Sequence, residues 1–458
     1  MNIYRIEDDV YYFPIYQKLI KTNKNYKDLE DFCINNTWIE EKYPDISREN
    51  IKYLKYEKCY PSSGGIYLTN KCPMRCTYCF YESGNKDRES LTKNQILNYI
   101  KYLVKNAVMM KRMMKLENNI SVLTISGGGE PTADFELLKY CVEIHKDLCN
   151  KHGVSSHIHL VTNGVLSKHK IDYIVNNIDS LNISFDGDPE TQNKNRPLIN
   201  NKNSFDIVDN TLKEFDRHNY PYLIRSTVSE DSYGKLKEIA DFLFNKYKCI
   251  REWHLEPIFK CGRGIDLCSN DNSKFYIYVA ELYDYVKKVY PERSIYNTLY
   301  TYRVTDTFCR TVTGTNVWLD AHGDLLICTE KIDKKKYRLG YINDREVVSV
   351  ENEHDHIFDY YLKYRNQYCT KCHAFYQCAG GCPMTMNRNE DGKFKDELSQ
   401  LICNSIKTFW KHAFVELIDK KEYIDMYISN EYEDENNKCV IYDISSIREE
   451  KDGVHDDR

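Results

Sequence analysis

At 458 residues the chain exceeds a single typical domain, so two or three units with a sizeable core are expected. Its 64 Lys and Arg against 69 Asp and Glu give a net charge of −5, which argues against a general binder of polyanions such as nucleic acid. The opening residues, MNIYRIEDDVYYF, are acidic and lack an apolar core, and no apolar run reaches membrane-spanning length. No signal peptide and no membrane partner are therefore read, and a cytoplasmic location is expected. Eighteen cysteines in such a chain are better explained by metal than by disulfides. Ten of them fall in two spaced sets. The other eight (Cys33, Cys59, Cys141, Cys149, Cys249, Cys261, Cys268, Cys439) default to small buried hydrophobes.

In chain order, residues 1–62 form a preliminary segment. IYRI and VYYFPIY predict a strand pair, and residues 26–34 and 47–54 have helical spacing. From Gly64 onward strand-like and helical runs alternate. GGIYLTNKC precedes a helix near 92–105, SVLTISGGG one over 134–150, and SHIHLVTNG one over 168–177. SLNISFDG precedes a helix near 205–218 and PYLIRSTV one near 233–246, and REWHLEPIF ends the series. Six strands with intervening helices over residues 63–260 predict an α/β fold with a parallel sheet and right-handed connections. In this class reactive groups collect at the carboxyl ends of the strands. Those ends read Asn70-Lys71-Cys72, Gly127-Gly128-Gly129-Glu130, Thr162-Asn163-Gly164, Asp186-Gly187, Arg225 and Glu256. Packing alone does not call for that collection.

A bridging segment, 261–305, opens with Cys261 and Cys268 around Gly262-Arg263-Gly264 and contains a predicted helix over 275–289. In the region 306–420, VWLD and LLIC flank the His322-Gly323-Asp324 turn, a predicted β-hairpin. Lys334-Lys335-Lys336 reads as a solvated turn. The same region holds Cys309, Cys328, the run Cys369-x2-Cys372-x5-Cys378-x3-Cys382, and Cys403. The four-cysteine run by itself also suits zinc. The tail, 421–458, is acidic and mixed, and EYEDEN from Glu431 predicts a mobile end.

The first cysteine set lies in KCPMRCTYCF, where Cys72, Cys76 and Cys79 form a Cys-x3-Cys-x2-Cys array. These spacings confine three thiols to one tight loop, so their sulfurs can converge on one metal centre. A cubane iron–sulfur cluster normally takes four cysteines, so three leave one iron without a protein ligand. A zinc site or three unrelated buried thiols is the plainer alternative. With Tyr78 just before the last cysteine, the array resembles the radical SAM signature. The resemblance, over roughly Gly64 to Lys407, implies a partial (β/α)6 TIM-like barrel and a 4Fe-4S cluster on Cys72, Cys76 and Cys79. It further implies S-adenosyl-L-methionine chelated to the open iron. An electron then splits the sulfonium, and the 5′-deoxyadenosyl radical abstracts hydrogen from substrate.

Gly128-Gly129-Glu130-Pro131-Thr132 resembles the family's GGEP motif, which contacts the methionyl ammonium. Ser184 and Asp186 match ribose-binding positions, and Arg225 matches a residue that pairs with the methionyl carboxylate. Asn163 and Tyr78 are further cofactor-contact candidates. A strand-end turn for Ser184 to Gly187 and a surface ion pair for Arg225 are the bland readings. Asn195-Arg196-Pro197 resembles a loop of the peptide-modifying branch, with no role assigned.

The second cysteine set resembles the C-terminal iron–sulfur SPASM domain. By that resemblance Cys369, Cys372, Cys378 and Cys403 hold an outer auxiliary 4Fe-4S cluster, and Cys309, Cys328 and Cys382 an inner one. Full members carry a further inner cysteine where this chain has Thr315. The inner cluster is left with an open iron, a distant ligand such as Cys268, or a non-cysteine donor. An open iron suits a substrate thiolate, since clusters prefer soft sulfur.

The resemblance implies a peptide maturase of the sactisynthase or thioether-forming type. It would act on a ribosomally made precursor peptide or protein, with a flavodoxin- or ferredoxin-type reductant. Residues 1–62 are then either a leader-docking module or a plain helical cover. One alternative is an anaerobic sulfatase-maturating enzyme, which makes formylglycine. Against it stand Thr315 and Thr329, the latter replacing an aspartate proposed as base. A second alternative is a non-catalytic iron–sulfur or zinc-stabilised protein. No catalytic residue is assigned.

Overall fold

The computed structural model describes most of residues 4–22, 61–298 and 316–349, and, further on, Phe308–Cys309, most of 368–382, Met386, Phe394, 397–419, 431–434 and 439–443. The helical runs expected at 26–34 and 47–54, the Lys334-Lys335-Lys336 turn, and Cys33, Cys59, Cys261, Cys268, Thr315 and Thr329 lie outside the described residues. The chain divides into two compact units: residues 1–58, 298–313 and 358–458 form one, and residues 59–297 and 314–357 the other. Among the described residues no helix is long and apolar enough to cross a membrane.

Three short strands open the chain: β1 (Tyr4–Arg5), β2 (Val10–Phe13) and β3 (Lys18–Thr22). β1 and β2 pair antiparallel, Tyr4 opposite Tyr12, as the alternation of IYRI and VYYF leads one to expect.

The central unit then alternates strand and helix. In order come β4 (Ser63–Tyr67), α1 (Lys93–Met113), β5 (Ile120–Ser126), α2 (Phe135–Lys151), β6 (Ser155–Thr162) and α3 (Lys168–Asn177). They are followed by β7 (Ser180–Ser184), α4 (Pro189–Asn195), α5 (Phe205–Arg217), β8 (Tyr222–Val228), α6 (Leu236–Lys246) and β9 (Ile250–Pro257). Strands β4 to β9 are parallel and hydrogen-bonded in sequence order, so the predicted α/β core is present.

The local causes are visible in the helices. α5 buries Phe205, Val208, Leu212 and Phe215, one face at helical spacing. α4 starts where Asp188 Oδ1 accepts the N–H groups of Glu190 and Thr191 at 3.0 and 3.1 Å, with Pro189 just inside. In α2, His145 is fully buried between two hydroxyls: Nδ1 lies 2.8 Å from Ser156 Oγ and Nε2 3.1 Å from Ser121 Oγ.

After β9 come α7 (Ser273–Val289) and β10 (Ser294–Tyr296), which adds a strand parallel to β9. At the opposite edge β11 (Asn316–Leu319) runs parallel to β4. It opens the predicted hairpin with β12 (Asp324–Leu326), continued by β13 (Arg338–Ile342) and β14 (Val347–Ser349) into one eleven-stranded sheet. The hairpin region is tied to α1: Gln95 Nε2 donates to Ile342 O at 3.0 Å, and Asn98 Nδ2 to Asn343 O at 3.2 Å.

The remaining elements are α8 (Phe375–Cys378), α9 (Glu397–Asp419), β15 (Glu431–Asp434) and β16 (Cys439–Asp443). β15 and β16 join the opening strands in a five-stranded sheet of order β1-β2-β3-β16-β15. The expectation of a mobile end from Glu431 is thus corrected. β15 and β16 form an antiparallel hairpin whose CVIYD strand pairs with Lys18–Thr22, because β-branched and aromatic residues outweigh the neighbouring acidic ones. α9 packs on this sheet through Phe414, whose ring lies 4.2 Å from that of Tyr12. Of the scattered thiols, Cys141 and Cys149 are buried as expected, while Cys249 is only half-buried.

Candidate cofactor site at the carboxyl ends of the strands

The loop after β4 carries the first cysteine set and is held from three sides. On its inner side, Arg75 donates to the carbonyls of Cys72 (3.1 Å), Met74 (2.9 Å) and Gly84 (2.5 Å), curling the loop on itself. On a second side it pairs with residues 195–199. Arg75 N donates to Pro197 O at 2.7 Å, Thr77 N to Asn195 O at 2.9 Å, and Ile199 N to Pro73 O at 2.9 Å. On the third, Arg263 donates from its backbone N to Cys79 O (3.1 Å) and from Nε to Cys76 O (2.9 Å).

Cys72, Cys76 and Cys79 are all half-buried in this loop. Burial pushes the Cys72 thiol up to about 12, with the Glu130 charge adding to it, and the Cys76 thiol up to about 11 against the opposing charge of Arg196. Each of these two thiols also responds to Cys79. Among the described residues, no three His, Cys, Asp or Glu side chains are gathered into a closed metal cage. The donor set nevertheless fits an iron–sulfur cluster: soft sulfurs share one loop, and thiols bind such a centre as thiolates, their protons being released to solvent.

The Gly128-Gly129-Glu130 turn after β5 lies against that loop. A Cβ on Gly129 would meet Lys71 O at 2.4 Å and Asn70 C at 2.5 Å, so only glycine permits the approach. Glu130 is buried and clamps the turn. Its Oε1 accepts from Thr132 Oγ1 and Thr162 Oγ1, each at 2.7 Å, and its Oε2 accepts the Asn163 N–H at 2.7 Å. Burial raises the Glu130 carboxyl, and these bonds work against that rise. Asn163 in turn directs Nδ2 at Cys72 Sγ, 3.7 Å away.

Ser184, at the end of β7, stands in register with Arg225 on β8. Arg225 is in register with His254 on β9, and His254 with Tyr296 on β10. Partners in register on parallel strands share a face, about 4.8 Å apart, so these four form one row. Asp186 is buried just beyond β7. Its Oδ1 accepts from Arg196 Nε at 3.0 Å and from Thr227 N at 3.1 Å, and its Oδ2 accepts from the Tyr78 hydroxyl. The structure therefore joins Tyr78 and Asp186 directly, and brings Arg196 to both.

Sequence reasoning missed His254, which lies 2.7 Å from Glu256 Oε1 through Nε2. Burial lowers the imidazole below its ordinary value, with Glu256 opposing. The available signal was period two: Glu252, His254 and Glu256 occupy alternate positions of β9.

In the other unit, Cys378 lies within electrostatic reach of Cys369, Cys372 and Cys403. Cys372 N donates to Cys369 O at 2.9 Å, and His373 Nε2 lies 2.9 Å from Lys407 O on α9, the helix that carries Cys403. Burial raises the Cys378 thiol well above its usual value, and Cys403, Cys369 and Cys372 add to the rise in that order. Cys382 and Cys309 belong to the same unit as these four, while Cys328 follows β12 in the central unit.

A parallel six-stranded core with a three-cysteine loop and a glycine–glutamate turn at its strand ends defines a class, and residues 66–243 match the model of the Radical SAM superfamily. Residues 66–243 thus form a radical SAM domain, which marks the chain as an enzyme and implies S-adenosylmethionine and a 4Fe-4S cluster. It is 23% identical over 385 residues to the cysteine-type anaerobic sulfatase-maturating enzyme of Clostridium perfringens (strain ATCC 13124), covering 78% of this chain and 96% of that one. Its fold resembles native anSMEcpe with bound AdoMet and Cp18Cys peptide (TM-score 0.60, 19% identity, 78% of this chain and 98% of that one). It also resembles Streptococcus suis SuiB bound to precursor peptide SuiA (TM-score 0.53, 15% identity, 88% and 100%).

Proposed function

We propose that this enzyme is a maturase that removes hydrogen from one residue of a ribosomally made precursor peptide or protein and closes a crosslink there, a cysteine thioether being the favoured bond. One observation carries the reading. The cysteine loop and the Glu130 turn follow the carboxyl ends of β4 and β5, where this architecture places its chemistry, and Arg225 and His254, inside β8 and β9, stand in register with Ser184 at the carboxyl end of β7. When bound, the iron–sulfur centre and S-adenosylmethionine supply a hydrogen-abstracting 5′-deoxyadenosyl radical. Cys72, Cys76 and Cys79 would hold the cluster. The Gly128–Gly129 backbone would receive the methionyl ammonium, Arg225 its carboxylate and Ser184 the ribose. Asp186 would help orient that ribose through Tyr78, and Asn163 would steady Cys72.

Cys369, Cys372, Cys378 and Cys403 would hold an outer auxiliary cluster; Cys309, Cys328 and Cys382 would serve an inner one. A flavodoxin- or ferredoxin-type protein would deliver the electron, in the cytoplasm. The likeness to peptide-bound neighbours supports a peptide substrate.

Formylglycine formation is the second reading, favoured by the match along nearly the whole length of the Clostridium perfringens enzyme. Thr329, where a base would be needed, speaks against it. Anaerobically reconstituted protein should form deoxyadenosine under dithionite, and mass spectrometry of a coexpressed precursor peptide separates the two products. A thioether removes two hydrogens and keeps the sulfur, whereas formylglycine made from cysteine loses the sulfur. Absence of deoxyadenosine from iron-loaded protein refutes both.

A further inference from the structure

The loop bearing the first cysteine set is paired, backbone to backbone, with residues 195–199, and one side chain stands in the middle of that pairing. We propose that Arg196 is a positioning residue that locks this loop in place and fixes one positive charge beside the cluster, an inference resting on the cluster assignment above. The Arg196 guanidinium is buried, 7% exposed, and lies over the Tyr78 ring at 5.3 Å. Its Nε donates to Asp186 Oδ1 at 3.0 Å, and Asp186 Oδ2 accepts from the Tyr78 hydroxyl. The three side chains close a triangle whose Tyr78 corner sits between Cys76 and Cys79 in the chain.

The grip differs in kind from the neighbouring one. Arg263 holds the loop by its carbonyls, at Cys76 and Cys79, and would hold any sequence there. Arg196 holds it by a side chain, through a ring face and a shared carboxylate. Only a planar guanidinium covers an aromatic ring while donating sideways from Nε; an ammonium is a point charge on a flexible stem. A buried ion pair is a poor source of stability, since desolvating both charges offsets most of their attraction. The gain is therefore in placement. The bonds from Arg75 N to Pro197 O and from Thr77 N to Asn195 O join the residues on either side of Cys76 to those on either side of Arg196, so the pairing sets Arg196 opposite Cys76.

A fixed cation beside an iron–sulfur centre favours the reduced, more negative state, so it raises the midpoint potential. The test uses the full chain with Arg196→Gln, Arg196→Lys and Tyr78→Phe. Hydrogen exchange is read before cluster loading, and the midpoint potential of the first cluster by spectroscopic titration after it. In Arg196→Gln the Arg75, Thr77 and Ile199 amides should exchange about tenfold faster or more, and the midpoint should fall. Arg196→Lys should restore the midpoint more than the exchange. Tyr78→Phe should speed exchange while leaving the midpoint nearer the parent value.

Unchanged exchange at those three amides together with an unchanged midpoint in Arg196→Gln overturns the proposal. If Arg196→Gln does not fold, the same pair of null results in Arg196→Lys and Tyr78→Phe overturns it. If the parent chain takes up no cluster, the cluster assignment fails instead, and the exchange measurement still decides whether Arg196 locks the loop.

Discussion

Glu130 and Asn163 are joined by a 2.7 Å hydrogen bond, the buried carboxylate Oε2 accepting the backbone N–H at the end of β6. The same carboxylate holds Thr132 and Thr162 through Oε1, while Glu130 N donates to Lys71 O at 2.7 Å. One side chain thus ties the turn after β5 to the end of β6, and its backbone ties that turn to the cysteine loop.

Glu130→Ala should therefore leave several buried donors without a partner. A loss of about 3 kcal/mol in folding stability is expected, together with weaker S-adenosylmethionine binding. Glu130→Gln should recover part of the stability, because one amide oxygen still accepts while the NH₂ faces a donor. Chemical denaturation and calorimetric titration with S-adenosylmethionine read the two effects. Equal stability of the Ala variant and the parent would contradict the clamp.

Gly129→Ala tests the close approach of the same turn to the cysteine loop. The new methyl would meet the Lys71 and Asn70 backbone, neither of which can swing aside as a side chain would. A loss of about 2 kcal/mol is expected, with reduced cofactor affinity. Gly234→Ala is the control, since a Cβ there meets nothing within 4 Å and the backbone needs no positive φ. It should change stability by less than about 0.5 kcal/mol.

What was legible in the sequence was local. The strand ends were readable because GGGE, TNG and DG are turn signals placed directly after apolar runs, and the cysteine spacings identify themselves. The pairing of Tyr78 with Asp186 was not legible, because it depends on side chains 108 positions apart meeting across a loop. The strand pairing of β11 with β4, and of β16 with β3, is non-local in the same way. In the latter case an acidic composition nearby pointed away from order, and the partner strand supplied what composition lacks. His254 was overlooked for a different reason: a histidine inside a strand carries no motif, and its meaning comes from the register that sets it beside Arg225.

The two cysteine sets should separate in function. Cys76→Ala removes one of three thiols in the first loop and should abolish deoxyadenosine formation. Cys372→Ala should retain some cleavage of S-adenosylmethionine while losing peptide product, because Cys372 belongs to the group with Cys369, Cys378 and Cys403. Iron content, deoxyadenosine yield and peptide mass, measured on the same preparations, read all three consequences. Full peptide turnover by Cys372→Ala would remove the auxiliary assignment.

His145 makes a prediction about acid stability. It is fully buried on α2 between Ser121 and Ser156, and burial, with the His157 and Lys146 charges adding, lowers its imidazole from 6.5 to about 4. Between those values the unfolded chain binds a proton that the folded chain refuses, so stability falls as pH falls. The contribution is complete above pH 6.5, declines below it, and is exhausted near pH 4. Its size, roughly 3 kcal/mol, follows from 1.36 kcal/mol for each pH unit between the two values. Carboxylates elsewhere titrate in the same range, so the measurement is a difference: denaturation of the parent and of His145→Gln at intervals from pH 4 to 7.5. The variant should be less stable near neutrality, where it loses the fitted ring between two hydroxyls. The gap should narrow as acid is added, because only the parent has an imidazole to protonate. Curves that stay parallel down to pH 4 would mean that His145 takes up its proton without cost to stability, and the lowering of its imidazole by burial would be wrong.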